Sequence, residues 1–227
     1  MKESTNNYKN NNKVRIPANS IVLEGNLVIP EGAQGIVIFA HGSGSSRHSS
    51  RNKYVAQELQ KEGFGTLLFD LLTSEEERID MVTAHLRFDI DLLANRLVDV
   101  TNWLLSNPVT KNLKIGYFGA STGAAAALIA AKEESSNVIK AIVSRGGRPD
   151  LAEKALPEVK APTLLIVGGN DFQVIEMNQW ALERLNVKDK KLEIVPGATH
   201  LFEESGTLEE VAYLAREWFK RYLLENR

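Results

Sequence analysis

The stretch that decides the fold is residues 113–132, LKIGYFGASTGAAAALIAAK. Its first six residues predict a strand buried on both faces, and its last nine, rich in alanine, predict a helix. Gly119-Ala120-Ser121-Thr122-Gly123 stands between them. A strand, a Gly-x-Ser-x-Gly turn and a helix in that order predict a sharp turn that exposes the Ser121 hydroxyl.

Ser121 has two possible roles at this turn. A serine at a strand-to-helix junction can cap the helix with its side-chain oxygen. The same junction also places backbone N–H groups and the positive end of the helix dipole beside the hydroxyl, where they would stabilise a developing negative charge. The strand before Ser121 and the helix after it favour a nucleophile over a cap.

The rest of the chain alternates short apolar runs with helical patterns. This alternation predicts a doubly wound, mostly parallel sheet with helices on both faces. Two N-terminal strands, 14–17 and 21–30, have no helix between them and should form an antiparallel edge. Further strands are predicted at 36–40, 66–69, 139–143, 163–167 and 191–195, and further helices at 53–61, 88–105, 175–185 and 208–224. Residues 71–85 are predicted to be an acidic connection.

Length and composition indicate one domain over residues 13–227, preceded by a polar, Asn-rich flexible tail at 1–12. The net charge of −2 gives no basic surface for nucleic acid or an anionic membrane. There is no apolar run of about 20 residues. The absence of cysteine excludes disulfides and thiolate sites and fits a cytoplasmic location. The histidines have no carboxylate partner at ligand spacing, so no metal is expected.

A serine nucleophile needs a base, and the base needs an acid that orients it. In chains with this turn the order is serine, acid, histidine. Of the four histidines only His200 follows Ser121. Asp171 directly follows an apolar strand and is the predicted orienter, with Asp150 as the alternative and Asp189 a poorer one. An aspartate at such a position can also be a helix cap or a turn former.

The sequence HGSG at residues 41–44 follows another predicted strand. The backbone N–H groups of Ser43 and Thr122 are predicted to form the oxyanion hole, the site that holds the negative oxygen of the reacting carbonyl. A phosphate-binding loop is disfavoured because the stretch lacks the third glycine of a dinucleotide site and the Gly-Lys ending of a P-loop. His41 is predicted to be structural.

Four basic residues at the same predicted edge are candidates for binding an anionic group of the substrate, because arginine suits bidentate contacts to carboxylate or phosphate. They are Arg47, His48, Arg145 and Arg148. The alternative is that they form ion pairs with Asp150, Glu153 or the acidic 71–85 segment.

Several segments resemble the α/β-hydrolase superfamily and, within it, small hydrolases grouped with the dienelactone hydrolases. They are HGSGSSRHSSRN, LLFDLLTSEEE, FGASTGAAAAL, SRGGRPDL, LLIVGGND and PGATHLFEE. The resemblance spans residues 13–225 and implies an α/β-hydrolase fold with a mostly parallel eight-stranded sheet, a Ser-Asp-His triad and acyl hydrolysis without a cofactor. Dienelactone hydrolases proper use a cysteine nucleophile, so Ser121 makes a general ester a better expectation than dienelactone.

The expected function is therefore hydrolysis of a small acyl substrate, as in a carboxylesterase or lactonase, through Ser121, Asp171 and His200. No long insertion follows strand 139–143, so no large lid domain is expected. Amide, peptide or thioester hydrolysis would use the same three residues. A catalytically silent binding protein is the alternative of a different class, and the intact triad disfavours it.

Overall fold

The computed structural model describes residues 12–134 and 137–224. Eight strands form one sheet in the order β1-β2-β4-β3-β5-β6-β7-β8. They are β1 (Asn12–Ala18), β2 (Ile21–Val28), β3 (Gly35–Ala40), β4 (Gly65–Phe69), β5 (Lys114–Ala120), β6 (Ile139–Arg145), β7 (Thr163–Gly168) and β8 (Lys190–Val195). β2 is antiparallel to both β1 and β4, and all other neighbours are parallel. The predicted mostly parallel sheet and its antiparallel edge are confirmed.

Helices cover both faces of the sheet, and each face has its own core. They are α1 (Ser50–Lys61), α2 (Ser74–Thr83), α3 (Ile90–Ser106), α4 (Thr122–Glu133), α5 (Phe172–Arg184) and α6 (Thr207–Phe219). Apolar residues of α3, α4 and α5 pack on one face, and those of α1 and α6 pack on the other. This layering places the carboxyl ends of the central strands at one edge, where ligands bind in open α/β sheets.

Close packing at the start of α4 fixes the turn that carries Ser121. The four alanines 124–127 are fully buried, so the helix lies directly against the sheet. A Cβ atom on Gly123 would overlap the carbonyl oxygens of Ala40 and His41. Only glycine therefore lets the first turn of α4 approach the end of β3 this closely.

The segment predicted as an acidic connection contains a helix, α2. Thr73 Oγ1 accepts a hydrogen bond from the Glu76 N–H at 3.2 Å, and a Glu76 carboxylate oxygen accepts one from the Thr73 N–H at 2.8 Å. This capping box starts the helix. Asp80 is the only buried residue of α2, so the helix lacks the apolar stripe that would reveal it in the sequence.

The two ends of the chain also differ from the prediction. β1 begins at Asn12, the last residue of the predicted tail, and the rest of that tail lies outside the described residues. The last predicted helix is α6 followed by a π-helical turn at Lys220–Leu224. Among the helices described, none is both long and apolar enough to cross a membrane.

The contact at Gly123 gives a stability prediction. Gly123→Ala should lower the free energy of unfolding by about 2–3 kcal/mol, because the added methyl group forces α4 away from β3. Urea denaturation measures the loss. Gly32→Ala is the control: Gly32 has φ 74° and no atom within 4 Å of an added Cβ, so it tests backbone strain alone, worth about 1 kcal/mol. Equal losses in the two variants would contradict the close-packing account.

Candidate active site

Ser121 sits at the turn between β5 and α4 in an uncommon backbone conformation, with φ 50° and ψ −121°. A positive φ in a residue other than glycine is strained and persists only where the surroundings enforce it. The Ser121 side chain makes no capping hydrogen bond to α4. Ser121 therefore does not cap helix α4 with its side chain, which was its alternative predicted role.

The turn after β6 holds the backbone of Ser121 from both sides. The Ser121 N–H donates to the carbonyl oxygen of Arg145 at 3.2 Å, and the Arg148 N–H donates to the carbonyl oxygen of Ser121 at 3.1 Å. Residues 145–148 thus fix the position of the predicted nucleophile.

Asp171 and His200 are paired. A carboxylate oxygen of Asp171 lies 2.6 Å from Nδ1 of His200. Asp171 precedes the first turn of α5 but makes no capping bond to it, so its side chain is engaged with the histidine instead. Asp150, the alternative orienter, is held by Arg148 through two hydrogen bonds of 2.9 and 2.7 Å. Asp189 directly precedes β8 and thus lies at the opposite end of the strands.

The His200 ring lies against the same turn that holds Ser121. A Cβ atom on Gly146 would be 3.4 Å from Cε1 of His200. With Nδ1 facing Asp171, Nε2 is the ring nitrogen left for Ser121. No hydrogen bond joins the Ser121 hydroxyl to His200 within the described residues. In enzymes without substrate this bond is often long and tightens only in the complex.

Glu204 holds the loop that carries His200, and it is not among the site residues predicted from the sequence. Its carboxylate accepts hydrogen bonds from the Thr199 N–H at 3.0 Å and the Thr199 hydroxyl at 2.6 Å. These bonds, the one from the hydroxyl first, lower the pKa of Glu204. Phe202 of the same loop is buried and has φ 56°. The only sequence feature that could have indicated this contact is the five-residue spacing of Thr199 and Glu204 in PGATHLFEE.

His41 connects the 41–44 loop to the segment after β4. Its Nε2 accepts a hydrogen bond from the Leu71 N–H at 3.1 Å, and its Nδ1 lies 2.9 Å from the Gly42 carbonyl oxygen. A bond to that carbonyl requires the proton on Nδ1. Burial lowers the pKa of His41 and so favours this neutral form. The histidine is thus a structural link.

The 41–44 loop contacts Ser121 directly, since a Cβ atom on Gly42 would lie 3.1 Å from Cβ of Ser121. Thr122 is the first residue of α4, where backbone N–H groups have no partner within the helix. The N–H of Ser43, however, donates to Oγ1 of Thr122 at 2.9 Å. The two predicted oxyanion donors are therefore adjacent, but the one on Ser43 is already engaged.

Two of the four predicted anion-binding residues are engaged in ion pairs. Arg47 pairs with Asp70 and with Glu24, the latter at 2.6 Å. Arg148 pairs with Asp150, as the ion-pair alternative expected. Because their charges are neutralised within the protein, these two arginines do not match the predicted role.

The other two predicted anion-binding residues differ from them. His48 is exposed, and its N–H donates to Oγ of Ser46 at 3.2 Å. Arg145 is buried, and no carboxylate of the described residues lies within ion-pair distance of it.

A cavity of about 450 Å³ opens beside the 41–44 loop. Its walls are residues 41–46, residues 70–72, and Glu77, Asp80, Met81, Arg87 and Leu93. Gly42 belongs to both this wall and the contact with Ser121. The acidic segment thus covers one side of the cavity through α2. The described residues contain no group of three or more His, Asp or Glu side chains arranged for a metal ion.

Comparison with known proteins shows which family this chain belongs to. Residues 23–223 match the model of the dienelactone hydrolase family. This chain belongs to that family. A crystal structure of dienelactone hydrolase from Anabaena variabilis is 63% identical to it, covers 93% of this chain and 97% of its own, and superposes with a TM-score of 0.91.

More distant structures share the fold. An esterase from Pyrococcus furiosus is 22% identical, with a TM-score of 0.77 and coverage of 93% of this chain and 91% of its own. Est1E from Butyrivibrio proteoclasticus is 18% identical, with a TM-score of 0.76 and coverage of 92% and 98%. The chain has the α/β-hydrolase fold of its family, as the family match and the Anabaena variabilis structure show.

A curated relative from Mycobacterium tuberculosis is named for a transferase activity and not for a hydrolase. Over 211 residues, 93% of this chain, it is 58% identical, and its name assigns it provisionally to the phosphoribosyl transferases. The matched region is 46% of that protein, so this chain spans less than half of the relative's length.

The Glu204 contacts predict a pH-dependent stability. The pKa of Glu204 is lowered from 4.5, so its carboxylate stabilises the folded state fully above that value, and the contribution is lost as pH falls through the lowered pKa. Wild type should therefore exceed Glu204→Gln in stability at about pH 6, and the difference should shrink toward about pH 3. Urea denaturation at several pH values measures it.

Glu31→Gln, which changes an exposed turn glutamate, controls for the loss of a surface charge. A difference between wild type and Glu204→Gln that did not vary with pH would contradict the role given to the Thr199 bonds.

Proposed function

We propose that this member of the dienelactone hydrolase family is a serine hydrolase that cleaves carboxylic esters through Ser121, His200 and Asp171. One arrangement carries the proposal. The carboxylate of Asp171 is 2.6 Å from Nδ1 of His200, and the His200 ring packs against the turn that holds Ser121 in a strained conformation. Ser121 and Asp171 each stand at the start of a helix, but neither side chain caps its helix. Both are therefore available to act with His200.

The first step is acylation. Ser121 Oγ attacks the ester carbonyl carbon while its proton passes to Nε2 of His200, and the electron pair of the C=O bond moves to the oxygen. Asp171 stabilises the imidazolium and fixes its tautomer. When the tetrahedral intermediate collapses, the bond to the alkoxy oxygen breaks and His200 donates its proton to the leaving alcohol.

The oxyanion formed in this step needs hydrogen-bond donors. The Thr122 N–H at the start of α4 supplies one, supported by the positive end of the helix dipole. The Ser43 N–H supplies the second when the oxyanion replaces Thr122 Oγ1 as its acceptor. Each such donor contributes about 3–4 kcal/mol to stabilising the transition state.

The second step is deacylation. His200 accepts a proton from water, and the hydroxide attacks the acyl carbon. The bond to Ser121 Oγ then breaks, Ser121 regains its proton from His200, and the carboxylic acid leaves. No cofactor takes part in either step as proposed. Amide, peptide and thioester hydrolysis would follow the same steps.

The cavity beside the 41–44 loop supports a small substrate. Its volume of about 450 Å³ falls in the usual range for small-molecule sites. Leucine and methionine side chains on its wall suit an apolar part of the substrate, next to the contact between Gly42 and Ser121. Short esters and lactones are the substrate class we infer.

The name of the Mycobacterium tuberculosis relative suggests phosphoribosyl transfer as a second candidate. More than half of that protein lies outside the match, and the matched part of this chain lies within a hydrolase family. We therefore assign ester hydrolysis, rather than phosphoribosyl transfer, to this chain.

A p-nitrophenyl ester series with acyl chains of two to about eight carbons, together with a lactone, tests the proposal. Wild type should hydrolyse the short esters, and Ser121→Ala should lower kcat by about 10⁴-fold or more. The proposal would be overturned if wild type hydrolysed none of these esters, or if Ser121→Ala hydrolysed them as fast as wild type. It would also be overturned if wild type consumed phosphoribosyl diphosphate and no ester.

Two aspartate variants test the orienter in the same assay. Asp171→Asn should lower kcat by about 10³–10⁴-fold, because His200 would lose the correct tautomer. Asp150→Asn is the matched control, since Asp150 pairs with Arg148 instead. It should stay within about tenfold of wild type. A reversed order of the two losses would exclude Asp171 as the orienter.

A further inference from the structure

The Thr122 hydroxyl lies beside both N–H groups that are proposed to hold the oxyanion. Its Oγ1 accepts a hydrogen bond from the first of these groups, the Ser43 N–H, at 2.9 Å. The second group is the backbone N–H of Thr122 itself, at the first position of α4. A side-chain oxygen of the same residue therefore stands next to the proposed site of negative charge.

The hydrogen of this hydroxyl has no acceptor in the part of the chain that the structure describes. A threonine hydroxyl donates one hydrogen bond and can also accept. Within residues 12–134 and 137–224, Thr122 Oγ1 accepts from Ser43 and donates to no other group. Thr122 is only 2% exposed, so water does not readily serve as the acceptor. Buried polar groups are normally hydrogen-bonded, and an exception of this kind needs an explanation.

Three other buried threonines show the usual arrangement. Their hydroxyls donate to backbone carbonyl oxygens at 2.8, 2.7 and 2.9 Å, in Thr101, Thr110 and Thr163. Thr66 Oγ1 also accepts without donating, but Thr66 lies near the amino end of β4, at the opposite edge of the sheet from Ser121. At the proposed active site itself, Thr122 is the threonine whose donor is left over.

The hydrogen bond from Ser43 has to change when a substrate reacts. In the proposed mechanism the oxyanion replaces Thr122 Oγ1 as the acceptor of the Ser43 N–H. Oγ1 would then present its lone pairs to a negatively charged oxygen, which is unfavourable. Rotation about the Cβ–Oγ1 bond removes this repulsion, because it turns the O–H group toward the oxyanion. The hydroxyl hydrogen thus gains the acceptor that it lacks in the free protein.

We propose that the Thr122 hydroxyl is a third donor to the oxyanion, and that in the free protein it takes the place of the oxyanion as acceptor of the Ser43 N–H. The proposal rests on the proposed ester hydrolysis and adds a catalytic residue to it. The hydroxyl keeps its proton, and no covalent bond to it forms or breaks. A hydrogen bond made only to the charged oxygen stabilises the transition state more than the bound ester, and so raises kcat.

Substitutions of Thr122 test this role with p-nitrophenyl acetate as the substrate. Thr122→Val removes the hydroxyl with little change of shape and should lower kcat by about 10–100-fold, the usual strength of one hydrogen bond to a charged group. KM should stay within about threefold of wild type, because the bound ester does not use this bond. Thr122→Ser keeps the hydroxyl and should recover most of kcat. A kcat in Thr122→Val equal to that of wild type would overturn the proposal.

Thr122→Ala distinguishes a donor from a group that only blocks the oxyanion hole. If the hydroxyl were only a competing acceptor of the Ser43 N–H, its removal would free that donor, and kcat would rise above that of wild type. A donor role predicts instead that Thr122→Ala loses about as much activity as Thr122→Val. A rise of kcat in Thr122→Ala would therefore overturn the proposal.

Thr163→Val is the matched control for the loss of a buried threonine hydroxyl. Thr163 is fully buried at the amino end of β7, where its hydroxyl donates to the carbonyl oxygen of Ala161. This variant should keep the kcat of wild type, although it loses stability. Urea denaturation verifies that each variant is folded. An equal fall of kcat in Thr163→Val and Thr122→Val would overturn the proposal, because the loss would not be specific to the oxyanion hole.

A stable adduct tests the hydroxyl without turnover. Propyl trifluoromethyl ketone should add to Ser121 Oγ and form a hemiketal whose oxygen lies in the oxyanion hole. Fluorine NMR at several pH values measures the acid dissociation constant of this hemiketal. Thr122→Val should lower that constant by about 10–100-fold relative to wild type, because the ionised oxygen loses one donor, and Thr122→Ser should restore it.

The adduct also separates this role from the proposed function. An adduct on Ser121 with the same acid dissociation constant in wild type and Thr122→Val would overturn the donor role alone. No adduct on Ser121 in wild type, together with no ester hydrolysis, would overturn the proposed function as well.

Discussion

The contact between the start of α4 and the end of β3 is the constraint on which the rest of the site depends. Gly123 leaves no room between the helix and the carbonyl oxygens of Ala40 and His41, so the chain must turn sharply at Ser121. The strain of that turn is offset by the packing of α4, whose alanines are fully buried on the sheet. A rigid scaffold thus holds the serine hydroxyl away from its own helix.

Three loops meet at this turn, and each is fixed by a small number of polar contacts. Neutral His41 fixes the 41–44 loop to the segment after β4, and Glu204 holds the His200 loop through Thr199. The backbone of residues 145–148 holds Ser121 itself. The proposed chemistry needs these groups to remain in place while a proton moves, and the described contacts supply that preorganisation.

Much of the fold and part of the site could be predicted from the sequence. The buried strands and the turn at Ser121 have strong local signals, and chain order left one histidine, His200, as the predicted base. Helix α2 was missed because it buries only Asp80 and only its capping box marks it. The partners of Arg47, in β2 and directly after β4, are each 23 residues away in sequence, a pairing that no local pattern predicts. The engaged N–H of Ser43 likewise depends on Thr122, 79 residues later.

Detection of the covalent intermediate tests the central claim most directly. Wild-type protein is mixed with p-nitrophenyl butyrate, quenched in acid within milliseconds to seconds, and analysed by mass spectrometry of the intact chain and of its peptides. The account predicts one added butyryl group, located on the peptide that contains Ser121 and released on the time scale of turnover. Ester turnover with the butyryl group on another residue, or with no acylated protein at any time while p-nitrophenol forms in a burst, would contradict it.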